Sequence, residues 1–264
     1  MRFQEILELL WLAAVAAHVV WAARLHSIGV IKQYPVLTAF LLFSVAQSGV
    51  GFLIYRYAAQ GLASSAYAWF WVISRLLTFT LYFCVLVEIG RRMLAGYRGF
   101  ERLGQFVIFG SLAGVGVLIA LTVLLHSTTA VATLKSFWFL EERSIYLGLT
   151  AVALVLPAFG SYFRLRPPRN VQTMMAVFGV LFAGEAVLWS LRGHFGNMGS
   201  SPFDLFGQLL YLVCPIAGAW AFSKAGEQQL WKVQFKPVMD AETEAVLAEK
   251  LSSYNQTLLR VLRS

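Results

Sequence analysis

Charge is what this sequence has least of. Only 13% of its 264 residues are Asp, Glu, Lys or Arg, against about 25% in soluble domains. A chain this poor in charge, with 59% hydrophobic residues and a mean hydropathy of +0.69, has too little polar surface to cover a soluble domain. Cysteine is equally scarce. Cys84 and Cys214 both stand in apolar runs, which argues against a disulfide framework, and without a CxxC pair there is no signature of structural zinc or thiol redox chemistry. Of four histidines, His18 alone falls in an apolar run, while His26, His126 and His194 lie in or beside loops. A membrane bis-histidine haem site needs partners at matching depth. The expectation is therefore no cofactor and no metal.

The apolar residues fall into seven windows of the length a spanning helix needs, about 20 residues: 6–23, 35–55, 67–86, 105–125, 143–163, 171–191 and 203–222. The fifth has the least defined start, because "LKSFWFLEERS" mixes apolar and charged residues, and a tilted span can begin as early as Phe137. The N-terminal stretch reads as a retained first span, since Glu5 and Glu8 spoil the basic n-region of a signal peptide and the apolar run is too long for one. Three connections hold Arg24 and Lys32; Arg91, Arg92, Arg98 and Arg102; and Arg164, Arg166 and Arg169. The tail after Phe222 adds six more basic residues, whereas the opposite face offers Arg2, Arg56, Lys135, Arg192 and Arg143. By the positive-inside rule the N-terminus is outside and the C-terminus cytoplasmic. This pattern accounts for the net charge of +8 by topology and anionic lipid headgroups rather than nucleic acid.

The expected architecture is all-α: a seven-helix transmembrane domain over 1–222 and a cytoplasmic tail over 223–264. Within the tail, Asp240 caps an amphipathic helix over about 240–262, and Leu247, Leu251, Tyr254, Leu258 and Val261 share one face. That face can lie on the membrane, pack under the bundle or bind a cytoplasmic or membrane protein. Pro215 is expected to kink the last span.

Charges inside the spans carry the functional signal. Arg75, in "WVISRLLTF", lies eight residues into the third window, about 12 Å deep. Glu185, in "FGVLFAGEAVLW", lies six residues from the outer end of the sixth, about 9 Å deep. Each unpaired charge costs about 2.5–3.5 kcal/mol at the bilayer centre, so a pair between Arg75 and Glu185 is expected. Glu8, Glu141, Glu142, Arg143, Asp204 and Gln208 share the outer half. Pointing inward, they make a polar cavity walled by aromatics, which fits a ligand pocket; a purely structural ion pair is the competing reading. Glu88 is expected to meet Arg91 or Arg92 one turn on.

Enzyme signatures fail on inspection. The last span has no lysine for retinal. "EERSIYLG" has Tyr146 where an EExxxR prenyl-protease motif needs arginine, and no intramembrane histidine partners the serine of "FGSLAG" in a rhomboid-type dyad. The chain resembles a family of uncharacterised seven-helix bacterial membrane proteins, on "QYPVLTAFLLF", "YAWFWVIS", "LVEIGRRMLAGYRGFERLGQ", "ERSIYLGLTAVALVL", "LLYLVCPIAGAWAF" and "SYNQTLLRVL". The resemblance implies seven helices with a short cytoplasmic tail and says nothing of activity; the expected location is the bacterial inner membrane. Relatives often carry an acid near the position of Arg75 and a tryptophan at that of Tyr254. The resulting expectation is a non-enzymatic, receptor-like membrane protein that binds a small ligand from the outer side, with the tail helix reaching a partner. The alternatives are a structural or accessory subunit of a membrane complex, and a transporter of anions or small solutes.

Overall fold

The computed structural model describes residues 3–58, 64–95, 134–163, 165, 167–195 and 202–228, with 110, 113 and 114. Among the described residues every regular element is helical: α1 (Phe3–Ser27), α2 (Pro35–Ala58), α3 (Ser64–Leu94), α4 (Leu134–Tyr162), α5 (Arg169–Phe195), α6 (Pro202–Ala221) and the short α7 (Lys224–Gln228). Six of them, α1 to α6, are long and apolar enough to cross a membrane, the build of a multi-pass membrane protein. The expected span over 105–125 and the amphipathic helix over about 240–262 lie outside the described residues. The chain divides into two compact units, Met1–Trp231 and Lys232–Ser264; the helices above all belong to the first.

Local chemistry sets the helix ends. Gly29, at φ 74°, follows the end of α1, where Val30 N–H donates to Leu25 O at 3.1 Å and Gly29 N–H to His26 O at 3.0 Å. That is a Schellman closure, which needs a left-handed residue and favours glycine. Val30 and Leu25, the pair that should touch across it, are both buried. Pro35 opens α2, where its missing N–H costs nothing. Beyond α4 the Leu165 N–H returns to Gly160 O at 2.7 Å, and Pro167 and Pro168 lead into α5. Pro157 and Pro215 sit inside α4 and α6, which both continue through them.

The six long helices close into a ring in which α1 packs on α2 and α6, α3 on α2 and α4, and α5 on α4 and α6, with α5 also touching α3. Half of the apolar window of α5 is buried, against 22% for α1, α2 and α6, so among the described spans α5 is the most buried. Leucines such as Leu12, Leu42, Leu76 and Leu154 are more than half exposed on the outside, where lipid is the natural solvent. The core is aromatic: Phe40, Tyr82, Phe178 and Phe182 meet with ring centroids 5.0–5.7 Å apart. Trp21 and Phe222 extend the cluster toward Tyr34.

α3 and α4 run in the same direction. Arg75 meets Glu142, Phe79 meets Tyr146, and a Cβ on Gly160 would touch Met93, three contacts at one constant sequence offset of 67. Antiparallel neighbours would show a constant sum instead.

Candidate functional site

One end of the bundle holds a cavity of about 750 Å³, within the size range of small-molecule pockets. Its wall comes from the first turns of α1 and α6, the last turns of α2 and α5, and the first half of α3. Glu8, Arg75, Glu185, Asp204 and Gln208 all line it, with Gln47, Ser74, Arg192 and Tyr211, and the rings of Trp11, Phe52, Phe70, Trp71 and Trp189. Five of the eight polar residues singled out from the sequence are thus on one cavity. Of the others, Arg143 is exposed, Glu142 lies behind the wall, and the side chain of Glu141 falls outside the described residues.

The ion pair differs from the expected one. Arg75 is bound to Glu142, not to Glu185: its Nε–H donates to Glu142 Oε1 at 2.9 Å and Nη2–H to Oε2 at 3.5 Å. Glu142 is 1% exposed and Arg75 17%. The reason is the length of α4, which starts at Leu134 and carries Glu142 two turns in, level with Arg75. The guanidinium also stands 5.6–5.9 Å from the ring centroids of Trp71, Phe79 and Tyr146, close enough for cation–π attraction. Glu185, 3% exposed, accepts instead from Trp189 Nε1–H at 3.1 Å. At the rim Arg192 pairs with Asp204.

The floor is a trio of tyrosines that the sequence reading missed. The Tyr211 hydroxyl lies 3.2 Å from that of Tyr146 and 3.5 Å from that of Tyr82. Tyrosines at helical spacing read as core, and only the fold shows three hydroxyls converging. Below them lies the aromatic core of Phe40, Phe178 and Phe182, which Tyr82 joins.

The opposite end carries a second polar cluster. Glu88 accepts from the Val36 and Leu37 N–H groups at 3.2 and 2.9 Å and so caps α2; it does not pair with Arg91 or Arg92 as expected. Arg92 reaches across to Glu227 of α7 at 3.1 Å and lies 4.1 Å over the Tyr34 ring. The Tyr34 hydroxyl donates to Glu227 at 2.6 Å, and burial, then the Glu227 carboxylate, raise its pKa. Asn170 donates to Glu227 and to Ser223 O, and accepts from Ser223 N–H. α7 is therefore tied to α3, α5 and the α1–α2 loop. Among the described residues no group of His, Cys, Asp and Glu could hold a metal ion.

Comparison of the chain with protein families, curated proteins and solved structures yields no match.

Proposed function

We propose that this is a non-enzymatic, receptor-like protein of the bacterial inner membrane that binds a small ligand in the cavity at one end of its bundle. In this reading the chain belongs to the seven-helix family it resembles, has seven spans with its N-terminus outside, and signals through a cytoplasmic tail. The observation that carries the binding reading is the cavity itself: about 750 Å³, aromatic-walled, and lined by Arg75, Glu185 and Tyr211 of the tyrosine trio. Outward orientation draws support from Arg24, Lys32, Arg91, Arg92, Arg169 and Lys224, all at the end opposite the cavity. The seven-span count draws support from the parallel pair α3 and α4, because two parallel spans need an odd number of crossings between them.

The test is a thermal-shift screen of water-soluble compounds on the protein in nanodiscs, run in parallel on Gly207→Trp. Gly207 lines the cavity, and a Cβ there meets only ordinary contacts, with Leu188 at 3.7 Å and Glu185 at 3.9 Å, so an indole would fill the space. Compounds that raise the Tm of the parent saturably and leave Gly207→Trp unmoved support the reading. A screen in which every hit stabilises both proteins equally, or in which none appears, rejects it.

A further inference from the structure

We propose that the ligand is an organic cation, seating an ammonium group on Glu185 and its apolar part against Trp11, Phe52 and Phe70. This rests on the cavity being a binding site, and it names the class of molecule that the site selects. Charge balance is the first argument. Both guanidiniums on the wall are neutralised by the protein, Arg75 by Glu142 behind the wall and Arg192 by Asp204 at the rim. Glu8 and Glu185 are left over, so among the described residues the cavity and its pairs hold two more carboxylates than guanidiniums.

The second argument is the state of Glu185. It is 3% exposed and receives one hydrogen bond, from Trp189 to Oε2, while Oε1 accepts none among the described residues. Arg75 and Arg192 attract it through space without a hydrogen bond to it. Oε1 is not among the buried atoms that lack a partner, so it is open to the cavity that Glu185 lines, and a ligand N–H there would add a charge-assisted hydrogen bond to it. Gly207 stands opposite, and any side chain there would approach Oε1, since even a Cβ would lie 3.9 Å away. The third argument is the wall. Trp11 and Phe52 meet in a tilted pair, centroids 5.5 Å apart, and line the cavity with Phe70; aromatic faces favour cations over anions.

The experiment uses the full chain in phosphatidylcholine nanodiscs and four probes of one shape: 2-phenylethylammonium, neutral 2-phenylethanol, 3-phenylpropionate and zwitterionic phenylalanine. Saturable rises in Tm give apparent Kd values. The ammonium is expected to bind at least tenfold more tightly than the alcohol, the propionate to bind least, and Glu185→Gln to abolish the preference of cation over alcohol. Glu185→Asp, which keeps the charge, should retain part of it and controls for folding. Tightest binding by the propionate or phenylalanine, lost in Arg75→Met, would overturn the cation assignment and leave the cavity as a binding site. Equal cation affinity in the parent and Glu185→Gln would overturn the role of Glu185. No saturable binding by any probe would reject the cation assignment, while hits blocked by Gly207→Trp in the wider screen would still uphold the site.

Discussion

Arg75 interrupts an apolar run because Glu142 waits for it on the neighbouring helix, two turns inside α4. Removing one member of a buried pair strands the other charge and costs about 3–5 kcal/mol, whereas removing both is far milder. Arg75→Met and Glu142→Gln should therefore each lower the Tm in detergent strongly, and the double variant should recover much of the loss. Glu185→Gln, by contrast, should be neutral or stabilising, because it discharges a carboxylate that has a single neutral donor. Equal losses for all three single variants would show that Glu185 is part of the same pair. The depth of each charge was legible from its distance to the end of an apolar window. Its direction around the helix was not, and depth alone favours Glu185 over Glu142 once α4 is taken to begin near residue 143.

At the scale of the helices, the windows over 35–55, 171–191 and 203–222 lie close to α2, α5 and α6 because proline, loop polarity and apolar length all mark those boundaries. α3 and α4 start earlier than their windows, as helical hydrogen bonding continues past the apolar stretch into polar residues. What the pattern could not reveal is which glycines are contact points. A Cβ on Gly218 would lie 2.5 Å from the buried indole of Trp21, whereas one on Gly207 would meet nothing closer than 3.7 Å. The ring of Trp21 is 1% exposed and cannot step aside cheaply. Gly218→Ala should destabilise the protein by about 1–3 kcal/mol, measured as a fall in Tm. Gly207→Ala should stay within about 0.5 kcal/mol of the parent, and a similar penalty at both sites would mean that the α1–α6 contact does not set the cost.

For the whole molecule, the bundle class and its membrane character were readable from charge scarcity and seven apolar windows, while the cavity was foreseen only as a set of residues at one depth. The parallel course of α3 and α4 is a fact of packing that no local pattern encodes. It yields a direct topological expectation. In a background lacking Cys84 and Cys214, cysteines introduced at Lys32 and at Ser201 should lie on opposite sides of the membrane, as should cysteines at Lys32 and Ser64. A membrane-impermeant thiol reagent added to intact cells should label Ser201→Cys and Ser64→Cys but spare Lys32→Cys. The reverse pattern would invert the proposed orientation, and labelling of Ser64→Cys without Ser201→Cys would break the seven-span count.

The aromatic packing beneath the cavity has an electrical meaning. Water in the cavity, open where Glu8 is exposed, conducts, whereas the packed rings of Phe40, Tyr82, Phe178 and Phe182 insulate. A membrane potential, worth about 2.3 kcal/mol per unit charge for every 100 mV crossed in full, therefore drops across those rings. With a ligand and an outward-facing cavity as proposed, a charged molecule on Glu185 would have crossed almost none of it. Its occupancy would follow its concentration outside and stay indifferent to the energised state of the cell, and the charge it carries would do no electrical work on arrival or departure.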